Sequence, residues 1–323
     1  MSQAMLSARV QAVRYEAPGI ISLELRPDAK GAAFPAHEAG AHIDLHLGNG
    51  LVRSYSLLNA SNDSDCYVIG VLKDHHSRGG SRHIHEELRV GQVLTISAPR
   101  NNFRLDESAA HSVFVAGGIG ITPILCMVRQ LLDQGRSAEL IYCARSLHET
   151  AFLGAIEALK PRGLRVLQHF DDEAGGAPRL AELLAGHCPQ AHFYACGPGP
   201  MLDAFQQACA TLGHANVHVE RFAAARQVAQ EQGHAQGFDV ALHRSGKTIR
   251  IAPDVSVLDA LLDAGINVDH SCREGICGAC ETKVLAGDVE HRDSILTAQE
   301  RSANRSMMVC VSRCRSGKLV LDA

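Results

Sequence analysis

Four cysteines near the C-terminus, Cys272, Cys277, Cys280 and Cys310, are spaced C-x4-C-x2-C-x29-C. Three thiolates on one short loop and a fourth from a distant segment is the spacing that holds a 2Fe-2S cluster. It constrains the fold, because a later strand must return to the loop that carries the first three. Those three lie in HSCREGICGACETKV, where Gly275 and Gly278 let the backbone curl and aim its amides at sulfur. The fourth sits on an apolar stretch, MMVCVSR. Zinc is the plainer alternative, but zinc knuckles favour two short Cys-x2-4-Cys pairs over a loop of three with a distant fourth. Cys314 follows four residues after Cys310, so either could in principle be the last ligand; the apolar strand leading into Cys310 favours it.

At 323 residues the chain has room for two or three domains with real cores. Hydrophobic residues make up 46% and the formal net charge is only -4, which points neither to disorder nor to a nucleic-acid partner. Trp is absent and aromatics are 4%, so stacking platforms for bases are scarce. The N-terminus, MSQAMLSARVQAV, has no basic segment ahead of an apolar core, and nowhere do 18 uncharged apolar residues run together. The expectation is a cytoplasmic monomer with no membrane segment. The other cysteines, Cys66, Cys126, Cys143, Cys188, Cys196, Cys209 and Cys314, show no disulfide-framework spacing and read mostly as buried small hydrophobes. His75, His76, His83 and His85 have no carboxylate or cysteine to complete a metal site and read as surface residues.

The chain changes rhythm twice. From residue 8 to about 105, short alternating segments such as GIISLELRP, AHIDLHL, RSYSLLN and CYVIGVLK are broken by Gly, Asn, Asp and Pro, which predicts a small antiparallel β-barrel. From about 108 the pattern is apolar strand, glycine turn, helix: SVFVAGG before TPILCMVRQLLDQG, then AELIYCARS, LRVLQHFDD and AHFYACGP. That is an α/β unit with a parallel sheet. AAARQVAQEQGHAQG has no apolar stripe and reads as a linker. After it, FDVALHRSGKTIRIAP alternates as a hairpin about Ser245 and Gly246, and SVLDALLDAG is a short helix capped by Ser256 and ended by Gly265. The expected multidomain order is a barrel over residues 1–105, an α/β domain over 106–225, a linker at 226–236 and an α+β cluster domain over 237–323.

Several segments could hold a nucleotide. In RSYS, Arg53, Tyr55 and Ser56 offer a cation, a ring and a hydroxyl. In SRGGSRHIHEEL, Arg78, Gly79, Gly80 and Ser81 precede a helix and could bind a phosphate; alone, the segment reads more simply as a glycine turn. VAGGIGITPIL is a strand running into Gly117, Gly118 and Gly120, then a helix with Pro123 in its first turn and the Thr122 hydroxyl nearby. It lacks the GxGxxG fingerprint. ACGPGPM, with Cys196 and Gly197, repeats the design, and two such turns would form two walls of a dinucleotide crevice. Arg145 and Ser146, after the second strand of the α/β domain, could approach the adenosine ribose, while Asp171 and Asp172, after the following strand, make the rim acidic.

Taken in order, RSYS, GGS, GGIGITP, CGPGPM and the cysteine quartet resemble the phthalate dioxygenase reductase family, the flavin-containing reductases of two-component Rieske oxygenases. The resemblance covers essentially the whole chain. It implies a ferredoxin-reductase-like barrel binding FMN, a domain binding NADH, and a β-grasp ferredoxin domain with a 2Fe-2S cluster. Carried over, Arg53, Tyr55 and Ser56 hold the flavin, Ser56 near its reactive ring nitrogen, and Gly80 with Ser81 takes its phosphate. Gly118 and Thr122 line the pyrophosphate crevice, Cys196 sits beside the nicotinamide, and Phe222 in VERF lies against the flavin. The implied partner is a Rieske-type terminal oxygenase acting on an aromatic acid such as phthalate or vanillate. NADH over NADPH and FMN over FAD rest on the resemblance. The alternatives are a reductase for a haem monooxygenase and a non-catalytic redox-sensing protein. No acid-base catalyst is expected at the flavin.

Overall fold

A computed structural model describes residues 4–48, 50–59, 65–75, 78–223 and 237–323. The expected linker at 226–236 and His76 lie outside the described residues. The chain divides into two compact units, Gln3–Phe222 and Ala223–Ala323.

The first unit opens with six strands, β1 (Met5–Ala17), β2 (Ile20–Pro27), β3 (His42–His46), β4 (Val52–Ser56), β5 (Tyr67–Leu72) and β6 (Val93–Ser97), with α1 (Gly80–Glu86) between the last two. They form one antiparallel sheet in the order β4-β3-β6-β1-β2-β5. Period-two alternation puts Ala8, Val10, Leu23, Leu25, Ile43, Leu45, Ile69, Val71 and Ile96 into one apolar interior. Where a barrel was expected, the two edge strands meet at a single bridge, Leu57 with Ile69, beside which the Leu58 amide donates to the Val68 carbonyl at 2.8 Å.

A second sheet follows in the same unit: β7 (Ser112–Gly117), α2 (Ile121–Asp133), β8 (Ala138–Ala144), α3 (Leu153–Leu159), β9 (Leu164–Phe170), α4 (Asp171–Ala174), α5 (Leu180–Leu184), β10 (His192–Cys196), α6 (Gly199–Leu212) and β11 (Asn216–Glu220). All five strands are parallel, in the order β11-β10-β7-β8-β9. Helices cover both faces, which is why β7 is buried at all six residues and reads as a continuous apolar run. The sequence did not announce β11, a short strand with every residue partly exposed. The apolar layer around α2 also takes in Ala17, Ile20, Ala39, Leu58 and Phe103, so the two sheets share a core.

The second unit contains β12 (Phe238–Leu242), β13 (Thr248–Ile251), α7 (Val257–Asp263), β14 (Glu281–Ala286), β15 (Val289–Glu290), α8 (Ala298–Ala303), β16 (Ser306–Met308), β17 (Arg313–Cys314) and β18 (Lys318–Leu321). Five strands make a mixed sheet ordered β13-β12-β18-β14-β16, and β15 pairs with β17. The anticipated hairpin turns through Gly246, where φ is +67°. Ser256 caps α7 by accepting from the Asp259 amide at 3.0 Å, and Gly265, at φ +76°, follows its end. Val257, Leu258 and Leu261 pack from α7 onto Phe238, Val240, Leu319 and Leu321 of the sheet.

Five of the seven cysteines outside the quartet are buried; Cys188 is exposed and Cys314 half-buried. One reading is corrected: His83 is buried in α1, its Nδ1 3.1 Å from Glu87 one turn on, and His85 Nε2 lies 3.0 Å from the Val71 carbonyl. Both were expected at the surface, but His83 is buried and His85 reaches β5. Among the described residues no helix is long and apolar enough to cross a membrane.

Candidate functional site

RSYS and RGGS, separated in sequence, come together in space. Arg53 on β4 runs across the start of α1, its Nη2 donating to the Arg78 carbonyl at 3.0 Å. A Cβ on Gly80 would meet the Arg53 side chain at 2.6 Å, so glycine is what lets the guanidinium lie there. Gly79, at φ +91°, makes the turn into the helix. Ser81 Oγ accepts from the Asp74 amide at 3.2 Å. A guanidinium, a glycine turn and a serine at one place are a fitting cradle for a flavin phosphate. Burial pushes the Tyr55 hydroxyl above its ordinary pKa, so the ring stays neutral.

Ser56 ends β4 and is buried, its Oγ 3.4 Å from Glu220 Oε2 at the end of β11. Strand register sets Cys196 opposite Glu220. Burial pushes the Glu220 carboxyl up to about 8, with the Ser56 hydroxyl pulling the other way. Burial also raises the Cys196 thiol well above its usual value, and Glu220 adds to the rise. At neutral pH the three side chains therefore present a hydroxyl, a protonated carboxyl and an uncharged thiol. Glu220 was not among the expected site residues. The segment VERF was noted for Phe222, and the alternation of NVHVE could have placed its glutamate beside the CGP strand. Phe222 itself is 40% exposed.

The two glycine turns end adjacent parallel strands, β7 and β10, where strand order reverses direction. Their glycines serve different purposes. A Cβ on Gly120 would fall on the Cys196 carbonyl, and one on Gly117 would lie 2.7 Å from Met201 Sδ and Pro198 Cδ. A Cβ on Gly197 would lie 3.0 Å from Gly117 Cα. These three let one turn pack on the other. Gly118 alone among them is open, with φ +52° and nothing within 4 Å of an added Cβ, and so it is free for a pyrophosphate to approach. Thr122 is buried and donates to the Ile119 carbonyl at 3.0 Å, bracing the turn. Arg145 is exposed at the end of β8, and its carbonyl accepts from the Asp172 amide at 3.0 Å; Ser146 Oγ accepts from the Glu149 amide at 3.3 Å.

In the second unit, the thiols of the quartet pair two and two. Cys277 donates to Cys272, and with the amides of Glu274, Ile276 and Cys277 also directed at it, the Cys272 thiol falls to about 6. Cys280 donates to Cys310 in the same way, which lowers Cys310 and raises Cys280. Two thiolates per iron is the arrangement a 2Fe-2S cluster needs. Gly275 (φ +68°), Gly278 (φ +73°) and Arg273 (φ +58°) curl the loop. A Cβ on Gly275 would meet Val311 at 2.6 Å, and its carbonyl accepts from the Ser294 amide at 2.9 Å. Cys314 is on β17, paired with Val289, its Sγ 3.5 Å from Ser316 Oγ. That leaves Cys310 as the partner of Cys280.

A family model described as "2Fe-2S iron-sulfur cluster binding domain" matches residues 240–315, which include the whole quartet. A second, "Dimethylamine monooxygenase subunit DmmA-like, N-terminal domain", matches residues 96–219. Phenoxybenzoate dioxygenase subunit beta of Ectopseudomonas oleovorans is 46% identical over 99% of this chain and 98% of its own length. Among solved structures, an intact type IV self-sufficient cytochrome P450 monooxygenase superposes with a TM-score of 0.88 at 39% identity, covering 99% of this chain. This chain spans only 41% of that protein's length. Phthalate dioxygenase reductase, described as a modular structure for electron transfer from pyridine nucleotides to 2Fe-2S, superposes at 0.71 with 36% identity over 99% of this chain and 98% of its own. Similarity of that extent, together with the quartet inside a matched 2Fe-2S domain, shows that the chain belongs to the phthalate dioxygenase reductase family of flavin and iron-sulfur oxidoreductases.

Proposed function

We propose that this chain carries electrons from NADH, through FMN and a 2Fe-2S cluster, to a Rieske-type terminal oxygenase acting on an aromatic substrate. NADH gives up two electrons as hydride and the cluster accepts one at a time, and bound FMN supplies the conversion between them. The observation that carries the proposal is the presence, on one chain, of a paired thiol quartet and of a Ser56, Cys196 and Glu220 group beside two packed glycine turns.

In this reading the six-stranded antiparallel sheet is the flavin barrel, within residues 1–105, and the parallel sheet within 106–225 takes NADH. Residues 226–236 connect them to a β-grasp domain over 237–323. Arg53, Arg78 and Ser81 hold the flavin phosphate, with Gly79 and Gly80 giving it room. Tyr55 packs on the ring and Phe222 covers it. Ser56 and Glu220 offer hydrogen bonds where charge grows, and Cys196 gives an uncharged wall beside the nicotinamide. Gly118 lets the pyrophosphate approach the backbone, on the turn that Gly117, Gly120, Gly197 and Thr122 brace. Arg145 and Ser146 lie at the ribose end. Cys272 and Cys277 hold one iron, Cys280 and Cys310 the other.

A haem monooxygenase is the second candidate acceptor, favoured by the full-length match to a segment of a P450 chain. The test is rapid mixing, without oxygen, of the NADH-reduced protein carrying FMN and cluster with a purified Rieske oxygenase and, separately, with a P450. Reduction of the Rieske centre at a rate matching turnover is expected. Reduction of the haem protein alone would transfer the assignment to the second acceptor.

A further inference from the structure

We propose that His111, Glu139 and His187 form a binding site for a divalent cation of the zinc class, at the end of the parallel sheet's strands opposite the nucleotide crevice. One ligand atom from each residue lies within 4.8 Å of the other two.

Strand geometry brings the first two together. Glu139 on β8 is registered with Val113 on β7, and His111 lies two residues before Val113, so both point to the same face. On that face Val113, Ile141 and Cys143 pack on α5 and α6. A carboxylate continuing an apolar row at a strand's start needs a partner. His187 supplies one from the connection between α5 and β10, its ring edge-on to Phe193 at 6.0 Å.

The hydrogen bonding of His187 argues for a cation. Its Nδ1 lies 3.2 Å from the Leu184 carbonyl, which can only accept, so Nδ1 bears the ring proton. In the neutral ring Nε2 then presents a lone pair, yet it lies 3.0 Å from Glu139 Oε1. Two electron-rich atoms at that distance need a positive charge between them, either a second proton or a metal ion. The His111 ring lies nearly parallel to that of His187, centroids 6.3 Å apart. A proton shared by His187 and Glu139 leaves His111 without a purpose there, whereas a metal takes it as a third ligand. Two imidazoles with one carboxylate suit zinc and its neighbours rather than calcium or magnesium. The carbonyl behind His187 fixes the tautomer that binds metal. All three residues are partly exposed, which leaves a route in and a fourth position for water. The ion would fasten the connection after α5 to β7 and β8.

Zinc sulfate titrated into the full chain carrying FMN and cluster tests the site. We expect one equivalent to bind and to raise the melting temperature. Affinity should fall at least tenfold in His111→Gln, Glu139→Gln and His187→Gln, with iron content and NADH oxidation rate unchanged. Zinc-edge absorption of the wild-type complex should show only nitrogen and oxygen neighbours at about 2.0–2.1 Å. That measurement needs no variant to fold. No retained zinc, equal retention by wild type and variants, or a sulfur neighbour at about 2.3 Å would each overturn the proposal.

Discussion

The two units solve the same problem, holding a redox group in fixed geometry, by opposite means. In Ala223–Ala323 three of the four ligands fall within nine consecutive residues, and their positions follow from local backbone: left-handed φ at Arg273, Gly275 and Gly278, with amides pointing at Cys272. In Gln3–Phe222 the group at the strand ends is not local. Ser56, Cys196 and Glu220 come from three strands of two sheets and meet only because β10 registers against β11 and both sheets share one core. A contiguous loop can be damaged in place, whereas an assembly fails when its packing shifts.

The largest effect should come from Cys277→Ser. A hydroxyl is a poor substitute for thiolate on iron. We expect the cluster absorbance and NADH-dependent cytochrome c reduction to disappear while NADH still reduces the flavin at close to the wild-type rate. Stopped-flow absorbance resolves the two processes. Equal loss of both would break the comparison, since it would tie the integrity of one unit to a ligand of the other.

The assembled unit should respond to packing rather than to any one ligand. Gly120→Ala drives a methyl into the Cys196 carbonyl, so the two glycine turns must separate. Overpacking of this kind costs about 1–3 kcal/mol. It should lower the urea midpoint and slow flavin reduction at saturating NADH. Gly118→Ala meets no atom but occupies a left-handed backbone, a strain of roughly 1–2 kcal/mol, and should raise the KM for NADH more than it lowers kcat. Identical behaviour of the two variants would show that the turns are not distinguished as described.

This difference also explains what could be read from the sequence. The quartet, the Ser256 cap, the Gly246 hairpin and the strand-turn-helix rhythm are local patterns, and each is found where it was expected. The preference for Cys310 over Cys314 rested on the CVSR match and the apolar strand before it. Glu220 was missed because a carboxylate in VERF looks like any surface acid until the fold sets it beside Ser56 and Cys196. The burial of His83 escaped for the same reason, since it depends on which face of α1 meets the sheet. Gly117, Gly118 and Gly120 were grouped as one nucleotide motif, yet two of them are spent on contacts with residues some 80 positions away, which no spacing within GGIG encodes.

The last test is a pH dependence that belongs to the assembled unit alone. The Glu220 carboxyl is raised by burial from an ordinary 4.5 to about 8, so between those values the folded chain holds a proton that the unfolded chain has released. A raised pKa of this kind stabilises fully below the unfolded value and is lost as pH rises through the folded one. The urea midpoint of the flavin-free wild type should therefore fall across pH 5 to 8 relative to that of Glu220→Gln, whose side chain cannot titrate. Subtracting the two curves removes what other groups contribute, including Cys272, whose lowered thiol acts in the opposite direction. Parallel curves would mean that the carboxyl titrates as if in water, and that the Ser56 and Cys196 neighbourhood is open rather than enclosed.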